Sequence, residues 1–219
     1  MARQSSQSLV VMKSTLSRLP LYYSYIRKMQ GNGMKYVSSS VIAQGLNINP
    51  VLVRKDLAGV SSEAGKPRAG FGVDTLLIDL GRYLGYDNID KAIVVGIGSL
   101  GRLVLTSKEF ETLGMHVVVG FDRNPDLIGT QMGDKYVLPM EKMDSFVKRT
   151  GVKIGIITVP ADQAQDVCDQ MVKCGIQAIW NFAFTLLNMP ADVIVKNENL
   201  PASLALLSHQ LENKINFSK

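Results

Sequence analysis

The run Ala92-Ile93-Val94-Val95 followed by Gly96-Ile97-Gly98-Ser99-Leu100-Gly101 constrains the fold of this chain more than any other segment. A short β-branched stretch leads directly into G-x-G-x-x-G, and Arg102-Leu103-Val104 then opens a helical pattern. A glycine-rich turn between a buried strand and a helix is the context that dinucleotide binding requires. Gly96 permits the tight turn, Gly98 lets the backbone approach a pyrophosphate, and Gly101 lets the helix pack against the strand. Free N–H groups and the helix dipole then favour phosphate at the helix start. Ile97, Ser99 and Leu100 complete the turn as cofactor-binding candidates.

Asp122 falls 21 residues after Gly101, at the end of a second apolar run over 116–122. An acid there accepts hydrogen bonds from adenosine ribose hydroxyls and repels a 2′-phosphate, so NAD(H) is expected over NADP(H). Arg123 stands beside it. A third strand is expected over 153–160, ending in Thr158-Val159-Pro160 beside the cofactor cleft, with further strands over 176–181 and 193–195. Helical stretches over 101–113, 141–149 and 161–174 lie between them. Strands alternating with helices predict a parallel sheet of Rossmann type in an α/β fold.

The first part of the chain has a different rhythm and a different charge. Residues 1–86 hold 11 Lys and Arg against 4 Asp and Glu, a net +7, whereas residues 87–219 come to −2. A basic head on a slightly acidic body points to a polyanion met by the head alone. Apolar residues at helical spacing predict a helix over 15–29, ended by Gly31-Asn32-Gly33. Ser38-Ser39-Ser40 offers an N-cap for a short helix carrying Val41, Ile42 and Leu46. Asn49 then caps a second helix that starts at Pro50 and carries Arg54 and Lys55. Two short helices joined by about four residues form a helix-turn-helix. The Gly-rich, basic segment 61–71 suits a β-hairpin or wing, and a helix is predicted over 73–84. Gly85-Tyr86-Asp87-Asn88 marks the expected boundary. The chain closes with an amphipathic helix over 200–215.

Several classes are excluded or disfavoured. No run of about 18 uncharged apolar residues occurs, so no membrane-spanning helix is expected. The N-terminus lacks an apolar stretch long enough for a signal peptide. Two cysteines, Cys168 and Cys174, make no disulfide framework and fit a reducing cytoplasm. Two histidines leave little material for a metal site, and none is expected. His116 and His209 fit structural or surface roles better than catalysis. Only some 60 residues follow the dinucleotide half, too few for a substrate domain, so an enzyme is not expected. The runner-up reading is a small NAD-dependent oxidoreductase with a basic N-terminal appendage.

The pieces together resemble the Rex family of redox-sensing transcriptional repressors. The resemblance runs roughly from Thr15 to Leu211. It is carried by Arg18-Leu19-Pro20-Leu21-Tyr22-Tyr23, Val37-Ser38-Ser39, Val53-Arg54-Lys55-Asp56-Leu57, Gly98-Ser99-Leu100-Gly101-Arg102, Phe121-Asp122, Thr158-Val159-Pro160-Ala161, Gly175-Ile176 and Asn181-Phe182-Ala183. It implies a winged-helix DNA-binding domain over 1–86, a Rossmann domain binding NADH or NAD+ over 87–199, and a C-terminal helix over 200–219 exchanged between the protomers of a homodimer. Operator DNA would be held when NAD+ dominates and released on NADH binding. By this likeness Arg54 and Lys55 belong to the recognition helix and Lys66 and Arg68 to the wing. Ser38 and Ser39 join them as DNA-binding candidates, and Phe182 joins the cofactor-binding candidates. The chain departs from the family pattern at Ser99, Ser107, Phe184 and over 58–64.

Overall fold

Pro20 dictates where the first long helix can begin. In a continuous helix its ring would clash with the carbonyl four residues back, at Leu16. The single helix expected over 15–29 is therefore two: α1 (Lys13–Leu16) and α2 (Leu19–Gly31), with Pro20 in the first turn of α2. The computed structural model describes residues 13–66, 69–86, 90–112 and 114–216. By its contacts the chain divides into two compact units, Met1–Asn88 and Ile89–Lys219.

In the first unit α3 (Ser39–Leu46) and α4 (Pro50–Ala58) follow β1 (Tyr36–Val37). The Ser38 hydroxyl accepts the N–H of Val41 at 3.2 Å, and the Asn49 side chain accepts that of Val51 at 2.8 Å. Each cap contributes about 1 kcal/mol. Asn47 closes α3 in the left-handed region at φ 53°, the one described non-glycine residue with positive φ. The expected helix-turn-helix is thus present, with both caps where the sequence places them. The strand pairing of the wing was not expected in this form. Besides a bridge between Lys66 and Gly70, β2 (Phe71–Gly72) pairs antiparallel with β1, which lies before α3. α5 (Val73–Leu84) completes the unit over the predicted residues. Its buried Leu76, Leu77 and Leu80 join Leu19, Tyr22 and Ile26 of α2 and Val53 and Leu57 of α4 in one core.

The second unit is built on β3 (Asp90–Val95), β4 (Met115–Asp122), β5 (Gln131–Met132), β6 (Lys135–Pro139), β7 (Ile154–Ile157), β8 (Ala178–Asn181) and β9 (Ile194–Asn197). Their order in the sheet is β5-β6-β4-β3-β7-β8-β9. All pairs are parallel except β5 with β6. The helices are α6 (Ser99–Thr106), α7 (Lys108–Thr112), α8 (Met143–Thr150), α9 (Ala161–Cys174) and α10 (Leu200–Asn216). The strand alternation of β3 divides its side chains between two clusters. Ile93 and Val95 pack toward Met143 and Val147 of α8 and Val167 and Met171 of α9, while Ala92 and Val94 pack toward Val104 and Leu105 of α6. A strand buried on both faces reads as a continuous apolar run, which is why β3 is so visible in the sequence.

Two expectations change. The helix predicted over 101–113 is broken at Ser107, whose backbone is extended and whose hydroxyl donates to Glu109. The hairpin β5–β6 has no counterpart in the sequence reading. α10 takes up nearly the predicted residues, and its Leu204, Leu206, Leu207, Leu211 and Ile215 are each at least half exposed. No helix among the described residues is long and apolar enough to cross a membrane.

Candidate functional site

The sheet order reverses between β3 and β7, since β4 and β6 lie to one side of β3 and β8 and β9 beyond β7 on the other. Ligands of open α/β sheets bind in the crevice outside the strand ends at such a switch point. A cleft of about 160 Å³ opens there, lined by Gly96 and Gly98 after β3, Asp122 and Arg123 at the end of β4, and Thr158, Val159 and Pro160 after β7. Seven of the cofactor-binding candidates are thereby brought together. A second hollow of about 440 Å³ shares Asp122, Arg123 and Met140 with the cleft and extends it toward Ile128 and Gln170.

The glycine turn is held from three sides. Gly96 has φ 95°, and a Cβ there would come within 2.6 Å of the Val159 side chain. A Cβ on Gly101 would collide with the Gly96 carbonyl, whereas one on Gly98 would meet nothing within 4 Å. Gly101 is thus needed for the fold of the turn, and Gly98 leaves open the space a ligand would use. The Gly96 N–H donates to the Phe121 carbonyl at 2.9 Å, and the Thr158 hydroxyl donates back to the Gly96 carbonyl at 2.7 Å. Asp122 accepts the Ile97 N–H at 2.5 Å and the Asn124 N–H at 2.8 Å. No side chain caps the start of α6. Its first N–H groups, with no acid in the first turn, suit an anion. The residues present fit a dinucleotide.

The remaining candidates are placed differently. The Ile97 side chain is fully buried in the core, so only its backbone serves the site. Gly101 is buried behind the turn, Ser99 starts α6 at the surface, and Leu100 packs half-buried on the core. The Phe182 ring lies on Trp180 with centroids 4.6 Å apart. None of these five residues lines the cleft. The Thr158 hydroxyl, expected as a ligand contact, is spent on the turn. Met140, Gln163 and Val167 line the cleft and were missed. The four-residue spacing of Gln163 and Val167 on a predicted helix starting at the strand end could have revealed them.

In the first unit a concave surface of about 590 Å³ is lined by Ser38 and Ser39 at the start of α3, Arg54 of α4 and Lys66 of the wing. Four of the DNA-binding candidates thus share one face. Lys55 is exposed on α4 outside this concavity, and Arg68 lies outside the described residues. Lys66 also stands over the Tyr36 ring at 5.3 Å. Glu63 is the acid in the same surface.

Sequence reasoning missed what fixes α4. Asp56 is 4% exposed and accepts two hydrogen bonds from Arg18, at 2.8 and 3.0 Å, plus one each from Tyr22 and Thr15 at 2.9 Å. Burial would raise its carboxyl, but these hydrogen bonds and the Arg18 charge together hold it below the usual carboxylate range. Burial, reinforced by Asp56, pushes the Tyr22 phenol up to about 12. The pair Arg18–Asp56 ties the rear of α4 to α2, leaving Arg54 and Lys55 on its outer face. Among the described residues no His, Cys, Asp and Glu group could hold a metal ion.

The two units define a class: a winged-helix DNA-binding fold joined in one chain to a dinucleotide-type α/β fold. A model described as "Putative DNA-binding protein N-terminus" matches residues 11–58, and one described as "CoA binding domain" matches residues 87–185. The chain is 37% identical over 219 residues to a redox-sensing transcriptional repressor Rex of Bacteroides fragilis, covering 99% of this chain and 96% of that one. It is similar to the crystal structure of RSP in complex with β-NAD+ and operator DNA, with a TM-score of 0.86, 32% identity, and 95% and 96% of the two chains covered. It is also similar to RSP in complex with β-NADH, with a TM-score of 0.83 at 32% identity over 95% and 98% of the chains. The chain belongs to the Rex family of redox-sensing transcriptional repressors.

Proposed function

We propose that this protein is a repressor that reads the NADH to NAD+ ratio, holding operator DNA when NAD+ dominates and releasing it when NADH binds. The observation that carries this reading is the glycine turn at the switch point between β3 and β7, with Asp122 at the end of β4, on the same chain as a basic winged helix. The dinucleotide is a regulatory ligand of this protein, not a reactant. Its relatives are named as repressors, in keeping with that role.

Gly98 leaves room for the pyrophosphate, the start of α6 attracts it, and Asp122 takes the adenosine ribose. Ser38, Ser39, Arg54, Lys55, Lys66 and Arg68 carry the DNA contacts. The protein works in the cytoplasm, and it works as a homodimer: the apolar side chains of α10 are at least half exposed among the described residues, and a partner protomer would cover them. Coupling needs two arrangements of that dimer, one favoured by DNA and the other by NADH, and the two ligands then weaken each other reciprocally.

The test is retention of duplex DNA by the full chain while NADH and NAD+ are titrated separately. Release by NADH alone supports the proposal. Turnover of NADH with a carbonyl substrate and no DNA binding would instead favour the oxidoreductase.

A further inference from the structure

One side chain on the outer face of α4 has a chemistry that phosphate binding does not use. Val51 stands in the first turn of the helix and is 70% exposed, the most exposed large apolar side chain of the first unit's described residues. Its neighbours at three- and four-residue spacing are Arg54 and Lys55, both exposed, whereas Val53, Asp56 and Leu57 face inward. Residues so spaced lie on one helix face. The outer stripe of α4 is therefore an aliphatic tip followed by two cations. Asn49 and Pro50 fix the helix start that carries the tip, so Val51 is held rigidly forward.

A recognition helix in the major groove presents its N-terminal residues to base edges. The apolar group exposed there is the C5-methyl of thymine. The two cations beside Val51 match the phosphates flanking the groove, which commits this face to duplex DNA rather than to an apolar protein partner. We infer that Val51 reads a thymine methyl in each half-site, so that Arg54 and Lys55 supply attraction and Val51 supplies sequence preference at one position. This inference rests on the proposed DNA binding and goes beyond it.

The experiment begins with a duplex selected from random-sequence DNA by the full wild-type chain in NAD+. If no sequence is enriched, the DNA-binding reading has failed. Once a duplex is in hand, each thymine is replaced in turn by deoxyuridine, which removes only the methyl. For the wild type, one thymine per half-site should matter, with affinity falling about fourfold per half-site, the effect of burying one methyl-sized group. Val51→Ala should bind the thymine duplex about fourfold or more weakly per half-site and show little further loss on deoxyuridine replacement. Because Val51 packs against no core, this variant keeps its fold, checked by circular dichroism. Arg54→Ala serves as the contrast, losing affinity while keeping the deoxyuridine effect. Wild-type affinity in Val51→Ala, or a deoxyuridine loss in it equal to that of the wild type, would overturn the inference while leaving DNA binding intact.

Discussion

The carboxylate of Asp122 accepts a 2.5 Å hydrogen bond from the backbone N–H of Ile97, so the acid at the end of β4 clamps the glycine turn that follows β3. Its second oxygen is held by the Asn124 N–H at 2.8 Å. The acid expected to meet ribose is thus fixed in place before any ligand arrives.

Asp122→Ala should weaken NADH binding by tenfold or more, since a hydrogen bond to a charged group contributes roughly 1.5–3 kcal/mol. It should also narrow the preference for NADH over NADPH. Trp180 is the single tryptophan, and NADH absorbs where indole emits, so quenching of its fluorescence reports both titrations. An unchanged NADH affinity would remove Asp122 from the site.

Two glycines of the same turn should respond in opposite ways. Gly98→Val meets open space, so the protein should keep its thermal stability and DNA binding while losing at least about tenfold in NADH affinity, because the pyrophosphate approach is filled. Gly101→Val collides with the Gly96 carbonyl, so it should destabilise the second unit by roughly 3 kcal/mol and lower its melting temperature. Thermal melts and NADH titrations of both variants check the contrast.

Asp56 makes the first unit sensitive to acid. Its carboxyl is held below the usual range in the folded chain, so its contribution is complete above about pH 4 and is lost as pH falls through the folded value. Tyr22 acts at the other end. Its phenol is raised to about 12, so its contribution is present below about pH 10 and is lost as pH climbs through 12. Asp56→Asn should lose about 3 kcal/mol at pH 7, as expected when one member of a buried pair is removed. Urea unfolding of the wild type should weaken from pH 5 to pH 3, and the variant should show much less of that slope.

The parts of this fold that depend on local pattern were legible in the sequence. α5 and α9 take up the predicted residues because each buries a clean apolar stripe, and α9 is closed by Gly175 in the left-handed region. The caps at Ser38 and Asn49, the strands β3 and β4 and the glycine turn were equally visible. The rest depends on partners distant in the chain. β1 is two residues long and exists because Phe71–Gly72 comes to pair with it. The β5–β6 hairpin shows no strand period because β5 is two residues long and the apolar Tyr136, Val137 and Leu138 of β6 are consecutive rather than alternating. Arg18 reaches Asp56 across 38 residues, and no spacing rule predicts that contact. In the cleft, the sequence placed the turn and the acid, but only the packing shows that Ile97 and Gly101 serve the scaffold.

Removing residues 200–219 should yield a monomer by sedimentation, since about five aliphatic side chains of α10, worth roughly 1.5–3 kcal/mol each when fully buried, would no longer join two protomers. Operator binding should go with the dimer, while NADH affinity should fall less, because the turn and Asp122 remain. A truncated chain that stays dimeric would show that α10 does not hold the protomers together.

The dinucleotide cleft should control the DNA-binding unit. The most direct measurement is the affinity of the full chain for its selected duplex, at fixed salt, with NADH and NAD+ titrated in separate series for the wild type and Gly98→Val. NADH should lower wild-type DNA affinity within the 5- to 150-fold span of about 1–3 kcal/mol of coupling. NAD+ should not, and Gly98→Val should hold DNA regardless of NADH. Equal DNA affinity with and without NADH in the wild type, or release by NADH that survives in Gly98→Val, would contradict it.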